Sequence, residues 1–422
     1  MTLKMGILEY IANIVTAFFL MVIVSYYILI FIKPRKVNKE KSFSSISVII
    51  TAHNEESYIK EAIESVKAAE FKGNKEIIIV DDGSNDKTAE ISSEYISKNI
   101  KLLRTSHNGK SASINKALRI AKGELIAIVD GDSYVHKDAL MEIIKKLEGK
   151  NVVGASGVIK VKNRNKFICG WLHVEQVYYS LIRLLITKIN ANITTPGPLS
   201  VYRKKELIEV GGFSTEGFAE DADITIRLIR KGYKIEFAEK AIVETNMPHQ
   251  FKWFFRQRSR FARGTINILK RHMKANTKMI DIYTLPILLF SYAQAVIMGL
   301  WILYQILSGY VVYFVSKGAY FNIYVLKIFF EWFSIIGTMR WLINVFSGQT
   351  TLNLTTIIGV LSSLLTYPLL FLALYKFDKL SIRNLLTVFF MFPFWLLVMG
   401  IYTISLPEYF RKRQYNIWKK NE

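Results

Sequence analysis

Hydrophobic residues are concentrated at the two ends of the chain, and the middle alternates apolar and polar positions. Residues 7–32 contain one charged residue, Glu9, and are long enough to cross a bilayer, which takes roughly 20 apolar residues in a helix. Apolar character returns after Lys278 and continues almost to the end of the sequence. We therefore predict one N-terminal transmembrane helix and, after the middle segment, about four further spans: 280–314, 323–346, 354–375 and 385–406.

The second of these four spans is the weakest, because it contains three charged residues, Lys327, Glu331 and Arg340. We retain it since four spans return the basic tail, residues 408–422, to the side on which the middle segment lies. Residues 33–41 contain five Lys or Arg residues, and positive charge beside a span favours the cytoplasmic side. The pattern thus predicts a multi-pass protein of the cell membrane with a cytosolic middle segment.

In the middle segment, short apolar runs alternate with amphipathic stretches. Four runs have the length and the branched apolar residues of strands: SISVIITA, EIIIVDD, IKLLRT and ELIAIVDGD. Helix-like segments such as SINKALRIA separate them. This alternation predicts an α/β fold with a mostly parallel sheet covered on both faces. Ligands bind such sheets beyond the carboxyl ends of the strands, so the residues after each run are the first candidates for a site.

Composition agrees with a chain that lies partly in lipid. Hydrophobic residues make up 51% of the 422 residues, and the mean hydropathy is +0.23. The formal net charge of +22 is compatible with a phosphate-bearing partner, and equally with the basic loops of a membrane protein. We expect no nucleic-acid partner. The single cysteine, Cys169, excludes an intramolecular disulfide and a cysteine-built metal site.

Two strand-like runs end in pairs of carboxylates. Asp81 and Asp82 follow the second run, where an Asx turn or a helix cap is an equally good explanation. Asp130 and Asp132 follow the fourth run, and two carboxylates one residue apart can face the same hard cation. A divalent cation such as Mg²⁺ or Mn²⁺, bridging to a phosphate, is the ligand this pattern favours.

Two further segments carry candidate chemistry. Lys110, after a glycine at a predicted helix start, is positioned to meet a diphosphate, although an ordinary solvated lysine is the simpler interpretation. Glu220, Asp221 and Asp223 open another predicted helix after the stretch VGGF. Acidic residues in the first turn of a helix are often only caps or partners of the helix dipole. The alternative is that one of these carboxylates lies beside a sugar hydroxyl and acts as a general base.

Rings and cations are interleaved in FKWFFRQRSRFARG, residues 251–264, which hold five aromatic and five cationic side chains. An amphipathic helix on anionic lipid headgroups needs both kinds of side chain. A second such segment, residues 166–189, is too charged to span a membrane, and it is either interfacial or a buried helix of the middle domain.

These motifs, in this order, resemble family-2 inverting glycosyltransferases, especially the membrane-bound processive synthases of cellulose, chitin, hyaluronan and poly-N-acetylglucosamine. The resemblance implies a GT-A-type sheet domain fused to an α-helical transmembrane bundle. It implies a nucleotide-sugar donor, a saccharide or lipid-linked acceptor, and membrane lipids as partners. The implied domains are an N-terminal span with its basic flank, the glycosyltransferase domain, an interfacial helix, the transmembrane helices and a basic tail: 1–36, 45–246, 247–278, 279–407 and 408–422.

The resemblance also assigns roles residue by residue. It implies that Asp81 or Asp82 binds the nucleotide base and that Lys110 helps to hold the nucleotide. Asp132, with Asp130, would hold a divalent metal on the diphosphate. The family's catalytic base matches Asp221, with Glu220 beside it. The family's Q-x-x-R-W signature aligns with three residues, of which the first two bind the donor diphosphate and the third stacks on the acceptor sugar: Gln257, Arg260 and Phe261.

One departure from the family pattern is that position 261 is Phe where the synthases have Trp. An aromatic face for the sugar survives, with less area and no indole N–H donor. The departure weakens the inference that the enzyme is processive, and two other functions stay open. One is a non-processive transferase acting on a lipid-linked phosphate. The other is a transporter with a nucleotide-binding domain, which the charges in the weakest span motivate.

Overall fold

The computed structural model describes residues 2–34, 39–274, 277–305, 315–316, 335–349 and 354–407. The chain divides into two compact units. One unit runs from Ile32 to Pro286, and the other combines the residues up to Phe31 with those from Ile287 to Tyr409. The domain limits drawn from the sequence stay predictions.

The first unit is built on a mixed sheet of eight strands in the order β3-β2-β1-β4-β7-β6-β8-β5. The pairs β1–β2, β1–β4, β2–β3 and β6–β8 are parallel, and the pairs involving β7 or β5 are antiparallel. The strands are β1 Ser45–Ala52, β2 Asn74–Asp81, β3 Ile100–Arg104, β4 Leu125–Asp130, β5 Ser133–Val135, β6 Val152–Val161, β7 Ser200–Arg203 and β8 Lys234–Thr245.

The helices follow the chain in this order: α1 Thr2–Phe31, α2 Ile59–Ala68, α3 Thr88–Ser93, α4 Lys110–Ile120, α5 Ala139–Leu147, α6 Phe167–Thr187, α7 Lys204–Glu209, α8 Glu220–Arg230, α9 Phe251–His272, α10 Leu285–Gln305, α11 Ile335–Phe346, α12 Leu354–Phe377, α13 Ile382–Phe389 and α14 Met391–Ser405. A π-helix, Ile280–Thr284, directly precedes α10.

Strands β1, β2 and β4 form the centre of the core because helices cover both faces of the sheet. Val48, Ile50, Ile79 and Val129 are fully buried within one continuous hydrophobic cluster. Near-continuous apolar runs are what parallel strands buried on both faces require. The four strand-like runs of the sequence are therefore confirmed as β1 to β4, and the α/β prediction is confirmed with them.

Helix α6 is a buried helix of this unit. Trp171, Val177 and Leu181 are shielded from solvent, and α6 packs against β6 and β8. Of the two explanations for residues 166–189, the structure favours the buried one.

Helix α9 is amphipathic in a different way: Phe254 and Ala262 are buried, whereas Phe251 and Phe261 are exposed. The exposed rings lie beside cationic side chains, such as Arg256 over the ring of Trp253 at 4.6 Å. This surface keeps the composition expected of an interfacial helix.

A buried ion pair joins α6 to α9. The guanidinium of Arg258 donates two hydrogen bonds to the carboxylate of Glu175, one of them 2.9 Å long. Both side chains are almost fully buried. Burial raises the pKa of Glu175 above its ordinary value, and the charge of Arg258 opposes this rise. The pair holds α6 and α9 in one register because leaving either buried charge without its partner costs several kcal/mol, about 3–5 when one partner is removed.

A second ion pair connects α8 to the π-helix. The guanidinium of Arg230 lies 2.5 Å from the carboxylate of Asp281 and also donates to the backbone carbonyl of His272. The last turn of α8 is thus fixed to the segment that leads into α10.

The second unit consists of apolar helices. Within the described residues, three helical segments are long and apolar enough to cross a membrane: Asn13–Phe31, Ile280–Trp301 and Ile357–Phe377. A bent pair, Ile382–Phe389 with Pro393–Ser405, makes a fourth if it forms one broken span.

Much of the weakest predicted span lies outside the described residues, including Lys327 and Glu331. Within the second unit, α1 and α12 pack together, and the hydroxyl of Tyr27 donates to the carbonyl of Leu365 at 2.7 Å.

We expect Arg258→Ala to lower the free energy of unfolding by about 3–5 kcal/mol, because it leaves the Glu175 carboxylate buried without a partner. Arg256→Ala makes the same chemical change on the exposed side of α9 and should cost no more than about 1 kcal/mol, the scale of an exposed cation–π contact. Urea unfolding of the full chain in detergent, followed by tryptophan fluorescence, measures both. Equal losses would contradict a special role for the buried pair.

Candidate active site

The carboxyl ends of the parallel strands bring two of the predicted acids to one edge of the sheet. Asp81 is the last residue of β2, and Asp130 is the last residue of β4. Both strands pair with β1, where Ala52 lies opposite Asp81 and Thr51 lies opposite Asp130. The two carboxylates therefore flank the end of β1, at the edge where ligands bind sheets of this kind.

Asp82 has a structural task. One carboxylate oxygen accepts hydrogen bonds from the hydroxyls of Thr105 and Ser113, at 2.6 and 2.7 Å, and from the backbone N–H of Asn108 at 3.0 Å. The other accepts from the N–H of Gly109 at 2.9 Å. Burial alone would raise the pKa of Asp82, but these four donors outweigh it and lower the pKa. The carboxylate thus shapes the turn that precedes α4.

Asp81 keeps one oxygen for another partner. Its Oδ1 accepts from the backbone N–H of Ser84 at 3.2 Å, and its Oδ2 lies 3.5 Å from Nε of Arg104. Oδ2 is buried, and among the described residues it has no hydrogen-bond donor. A buried carboxylate oxygen without a donor is costly unless a ligand supplies one. Of the pair Asp81 and Asp82, only Asp81 has this capacity.

Lys110 is the cation at the centre of the site. Its Nζ lies 2.5 Å from Oδ1 of Asp130 and 3.7 Å from Oε1 of Glu220. Burial lowers the pKa of Lys110, but the charges of Asp130 and Glu220 outweigh burial and raise the pKa above its ordinary value. The lysine therefore stays charged, and it joins the end of β4 to the start of α8.

Asp221 lies beside this cluster with an altered proton affinity. Burial is the main cause that raises the pKa of Asp221, to about 6; the charge of Glu220 adds to the rise and Lys110 opposes it. Ala219, two residues earlier and directly before α8, has a φ of 75°, a left-handed conformation that residues with a side chain rarely adopt. A carboxylate with a pKa near neutrality is suited to accept a proton at physiological pH.

Asp223, two residues further along α8, is fully engaged by cations. It accepts hydrogen bonds from Arg227 at 2.9 Å and from Arg271 at 3.0 Å, and it contacts Nε2 of His272 at 2.9 Å. Burial would raise its pKa, but these partners lower the pKa far below the ordinary value. Since Arg271 and His272 belong to α9, Asp223 fastens α8 to α9 and is not available as a base.

The structure adds a turn that the sequence analysis did not identify. A Cβ atom built on Gly197 would lie 2.4 Å from Nζ of Lys110 and 2.8 Å from Oδ2 of Asp130. The backbone of Gly197 therefore rests directly on the Lys110–Asp130 pair, where any side chain would collide. The sequence around it, TTPGPLS, offers only a Pro-Gly-Pro turn signal.

Two histidines were also missed. The rings of His53, after β1, and His107, before α4, stack at 4.1 Å. Each ring places its Nδ1 about 3 Å from the backbone carbonyl of Asp82, at 3.0 and 3.1 Å. Their positions directly after β1 and after β3, at the ligand-binding edge, were the signal that could have found them.

The residues aligned with the Q-x-x-R-W signature lie on α9. Gln257 donates a weak hydrogen bond to the sulfur of Met247 at 3.5 Å, and the guanidinium of Arg260 lies 5.9 Å from the ring centre of Phe261. Phe261 is 39% exposed. Helix α9 approaches the start of α8 closely, because a Cβ on Gly264 would lie 3.1 Å from Cβ of Ala219.

Six of the predicted residues thus lie around one edge of the sheet: Asp81, Asp82, Lys110, Asp130, Glu220 and Asp221. Asp132 follows β4, where its Oδ1 accepts from the hydroxyl of Thr245 at 3.2 Å. The other three predicted residues lie on α9, which the Asp223 network holds against α8.

The carboxylates at the end of β4 are too few to hold a hard divalent cation alone, so such an ion would also need oxygen ligands from a bound phosphate. Across the described ranges, no group of three or more His, Cys, Asp or Glu side chains is arranged to hold a metal. Asp130 ends β4 and Asp132 follows it two residues later, so the chain supplies two carboxylates there. Mg²⁺ typically uses one or two carboxylates together with substrate phosphates and water. The two aspartates therefore fit such an ion bound together with a phosphorylated ligand.

Comparison with known proteins agrees with this architecture. Residues 47–211 match Glycosyl transferase family 2. The chain is 30% identical to the probable glycosyltransferase YdaM of Bacillus subtilis over 276 residues, and 27% identical to the poly-beta-1,6-N-acetyl-D-glucosamine synthase of Staphylococcus aureus over 263 residues. Each match covers 61% of this chain and somewhat under two thirds of the relative, 65% and 62% respectively.

Among solved structures, the mannosyltransferase PcManGT from Pyrobaculum calidifontis, in complex with GDP-Man and Mn²⁺, has a similar fold. The TM-score is 0.58 at 19% identity, and the match covers 85% of this chain and 98% of that one. Residues 47–211 are therefore similar to Glycosyl transferase family 2, and the sheet domain has the GT-A-like fold that the family resemblance implied.

Replacing Asp82 tests its structural task. We expect Asp82→Asn to lower the free energy of unfolding by about 1–3 kcal/mol, because the new amide presents N–H to a buried backbone donor. Asp138→Asn, at an exposed position, should change it by less than about 0.5 kcal/mol. The lowered pKa of Asp82 stabilises the fold above the ordinary pKa of aspartate, and this contribution is lost as the pH falls towards the folded-state value.

The difference between wild type and Asp82→Asn should therefore shrink in acid. Urea unfolding at neutral and at low pH measures it, and a constant difference would argue against the hydrogen-bonded carboxylate as the source.

Proposed function

We propose that the protein is a membrane-embedded inverting glycosyltransferase that transfers a sugar from a nucleotide-sugar, a UDP-sugar in our hypothesis, to a growing polysaccharide. The observation that carries the proposal is the partly buried charge cluster at the carboxyl edge of the sheet. There Lys110 holds Asp130 and Glu220 beside Asp221, whose pKa is raised to about 6. One cation and one proton acceptor side by side are what displacement of a charged leaving group by a hydroxyl requires.

The donor nucleotide fits the edge formed by β1, β2 and α4. Oδ2 of Asp81, which lacks a hydrogen-bond donor among the described residues, is an acceptor for a ring N–H of the base, and the stacked rings of His53 and His107 offer an aromatic face beside it. The diphosphate then meets Lys110 at the start of α4, where a helix N-terminus favours negative charge. The poly-N-acetylglucosamine synthase among the relatives is consistent with a sugar-nucleotide donor of this kind.

A divalent cation is part of the proposal. Asp130 and Asp132 would hold it, and when bound it neutralises charge that develops on the departing diphosphate. Lys110 supplies a second positive charge from the protein itself. Gly197 keeps the space over these groups free of side chains.

The proton path follows from the charges on α8. Asp221 accepts the proton of the acceptor hydroxyl as the hydroxyl oxygen bonds to the anomeric carbon. The bond from that carbon to the diphosphate oxygen breaks with its electron pair, which leaves the nucleoside diphosphate. Attack from the face opposite the leaving group inverts the anomeric configuration. Glu220 raises the proton affinity of Asp221, and Asp223 holds α8 in place through α9.

The acceptor side involves α9. Phe261 presents an exposed ring for a sugar, and Gln257 and Arg260 lie within one turn of it. An acceptor carried on a lipid phosphate is the alternative outcome. In both cases the apolar helices are proposed to embed the enzyme, with the sheet domain in the cytosol according to the basic flank of the first span.

The decisive experiment supplies purified full-length protein in lipid nanodiscs with radiolabelled sugar nucleotides and Mg²⁺ or Mn²⁺. Incorporation of label into a polymer supports the proposal, and incorporation into a lipid-extractable product selects the lipid-linked acceptor. Excess chelator should abolish transfer, and Asp132→Ala should do the same while weakening metal-dependent nucleotide binding. Full transfer in chelator would remove the metal from the proposal, and absence of transfer from every donor would contradict it altogether.

The rate of transfer should depend on the protonation of Asp221. We expect the rate to rise with pH and to level off above about 6, because the base acts only when deprotonated. Glu220→Gln removes a charge that raises this pKa, so the rising limb should move to lower pH. Asp221→Asn should turn over roughly a hundredfold more slowly or worse, in line with general-base losses, while binding donor almost normally. Equal losses of donor affinity and rate would place Asp221 in the donor site instead.

Substitutions on α9 separate an acceptor platform from a lipid anchor. If the ring stacks on the sugar, Phe261→Ala should weaken the acceptor interaction by about 0.5–1.5 kcal/mol beyond lost area, and Phe261→Trp should preserve activity. Arg260→Ala should instead weaken donor binding, through loss of a charge-assisted contact. Donor affinity, acceptor KM and liposome partition distinguish the cases. Unchanged kinetics of both membrane-bound alanine variants would show that this part of α9 only anchors the protein.

A further inference from the structure

Three buried hydroxyl groups link the first turn of α8 to β7, the strand that follows the Gly197 turn. The hydroxyl of Thr225 donates to the backbone carbonyl of Asp221 at 2.6 Å. Thr195 Oγ1 lies 2.8 Å from Thr225 Oγ1 and also hydrogen-bonds the phenol of Tyr202 on β7. All three side chains are fully buried. Burial is the main cause that raises the pKa of Tyr202, to about 12, so its proton stays in place.

The direction of these hydrogen bonds can be deduced from one end. A carbonyl only accepts, so the proton of Thr225 is committed to Asp221. The oxygen of Thr225 must then accept from Thr195, and the oxygen of Thr195 must accept from Tyr202. Each hydroxyl has one proton, which fixes the order Tyr202 to Thr195 to Thr225 to the Asp221 carbonyl. Hydrogen bonds that run in one direction through buried hydroxyls strengthen one another. Loss of any one hydroxyl leaves a buried polar group without its hydrogen-bond partner.

Thr195 stands at the centre of this chain and two residues before Gly197. The Gly197 backbone rests on Lys110 and Asp130, the donor side of the proposed site. The other end of the chain fixes the backbone of Asp221, the proposed base. The same short segment therefore contacts both halves of the site through the Thr195 hydroxyl and the Gly197 backbone.

We propose that Thr195 is a positioning residue, whose hydroxyl aligns the Asp221 backbone with the Gly197 turn over the Lys110–Asp130 pair. It touches neither donor nor acceptor and acts through Thr225 and the turn. This inference rests on the proposed glycosyl transfer, because it assigns Asp221 as the base. Misplacement of reacting groups by about 1 Å can cost on the order of a hundredfold in rate, so a small shift in this alignment is measurable.

The test compares Thr195→Val, Thr195→Ser and Thr194→Val in the full-length enzyme. Thr195→Val keeps the shape of the side chain and removes the hydroxyl; we expect kcat to fall roughly 10- to 100-fold, with donor KM within about twofold of wild type. Thr195→Ser keeps the hydroxyl and should recover kcat to within about threefold. Thr194→Val makes the same change one residue earlier, outside the chain, and should leave kcat within about twofold.

A role in stability alone would give a different pattern. It would lower the melting temperature of Thr195→Val without changing kcat of the folded enzyme at a temperature well below melting. Normal kcat in Thr195→Val, or failure of serine to restore it, overturns the proposal. Wild-type transfer is measured in the same assay, so inactive wild type contradicts the proposed function and not the role of Thr195.

If Thr195→Val does not fold, the test uses the hydroxyls on either side of Thr195, those of Tyr202 and Thr225. Tyr202→Phe and Thr225→Val each remove one hydroxyl, and each should lower kcat at unchanged donor KM. Combined in one protein, the two substitutions should cost clearly less than the product of their separate effects, because they break the same chain. Strictly multiplicative effects, or unchanged kcat in both single variants, would exclude a shared positioning role.

Discussion

The partly buried ammonium group of Lys110 is the constraint on which the site depends. It is a cation with little access to water at the point where β4, α8 and the Gly197 turn meet, and such a charge is tolerated only beside compensating charges. Asp130 and Glu220 provide them from elements far apart in the sequence. Lys110 therefore helps to position the start of α8, and with it Asp221, together with the ion pairs that join α8 to α9.

The acids of the site differ in function because their neighbours differ. Asp82 is surrounded by hydrogen-bond donors and becomes a structural anion, whereas Oδ2 of the adjacent Asp81 has no hydrogen-bond donor among the described residues. On α8, Asp223 has a lowered pKa because of His272, Arg227 and Arg271, while the pKa of Asp221 is raised by burial and further by the charge of Glu220. A change of one or two positions along the chain therefore separates an anchoring acid from the acid proposed to accept a proton.

Helix α9 has a buried side that makes ion pairs and an exposed side that presents aromatic and cationic residues. Its buried side is fixed by Arg258 to α6 and by Arg271 and His272 to Asp223, so the helix is held from both ends. Its exposed side presents Phe251 and Phe261 with their cationic neighbours. Rings and cations on one face suit both a sugar diphosphate and lipid headgroups, which is why sequence alone leaves the two explanations open.

The sequence by itself determined strands β1 to β4 and the ligand-binding edge at their carboxyl ends. Strands β1 to β4 are buried on both faces, so their apolar runs are unmistakable, and acids placed after such runs must gather at one edge of a parallel sheet. Only the tertiary structure decided which acid does what. The donors around Asp82, the cations around Asp223 and the turn at Gly197 come from residues distant in sequence, and a pKa depends on those neighbours in space and not on neighbours along the chain.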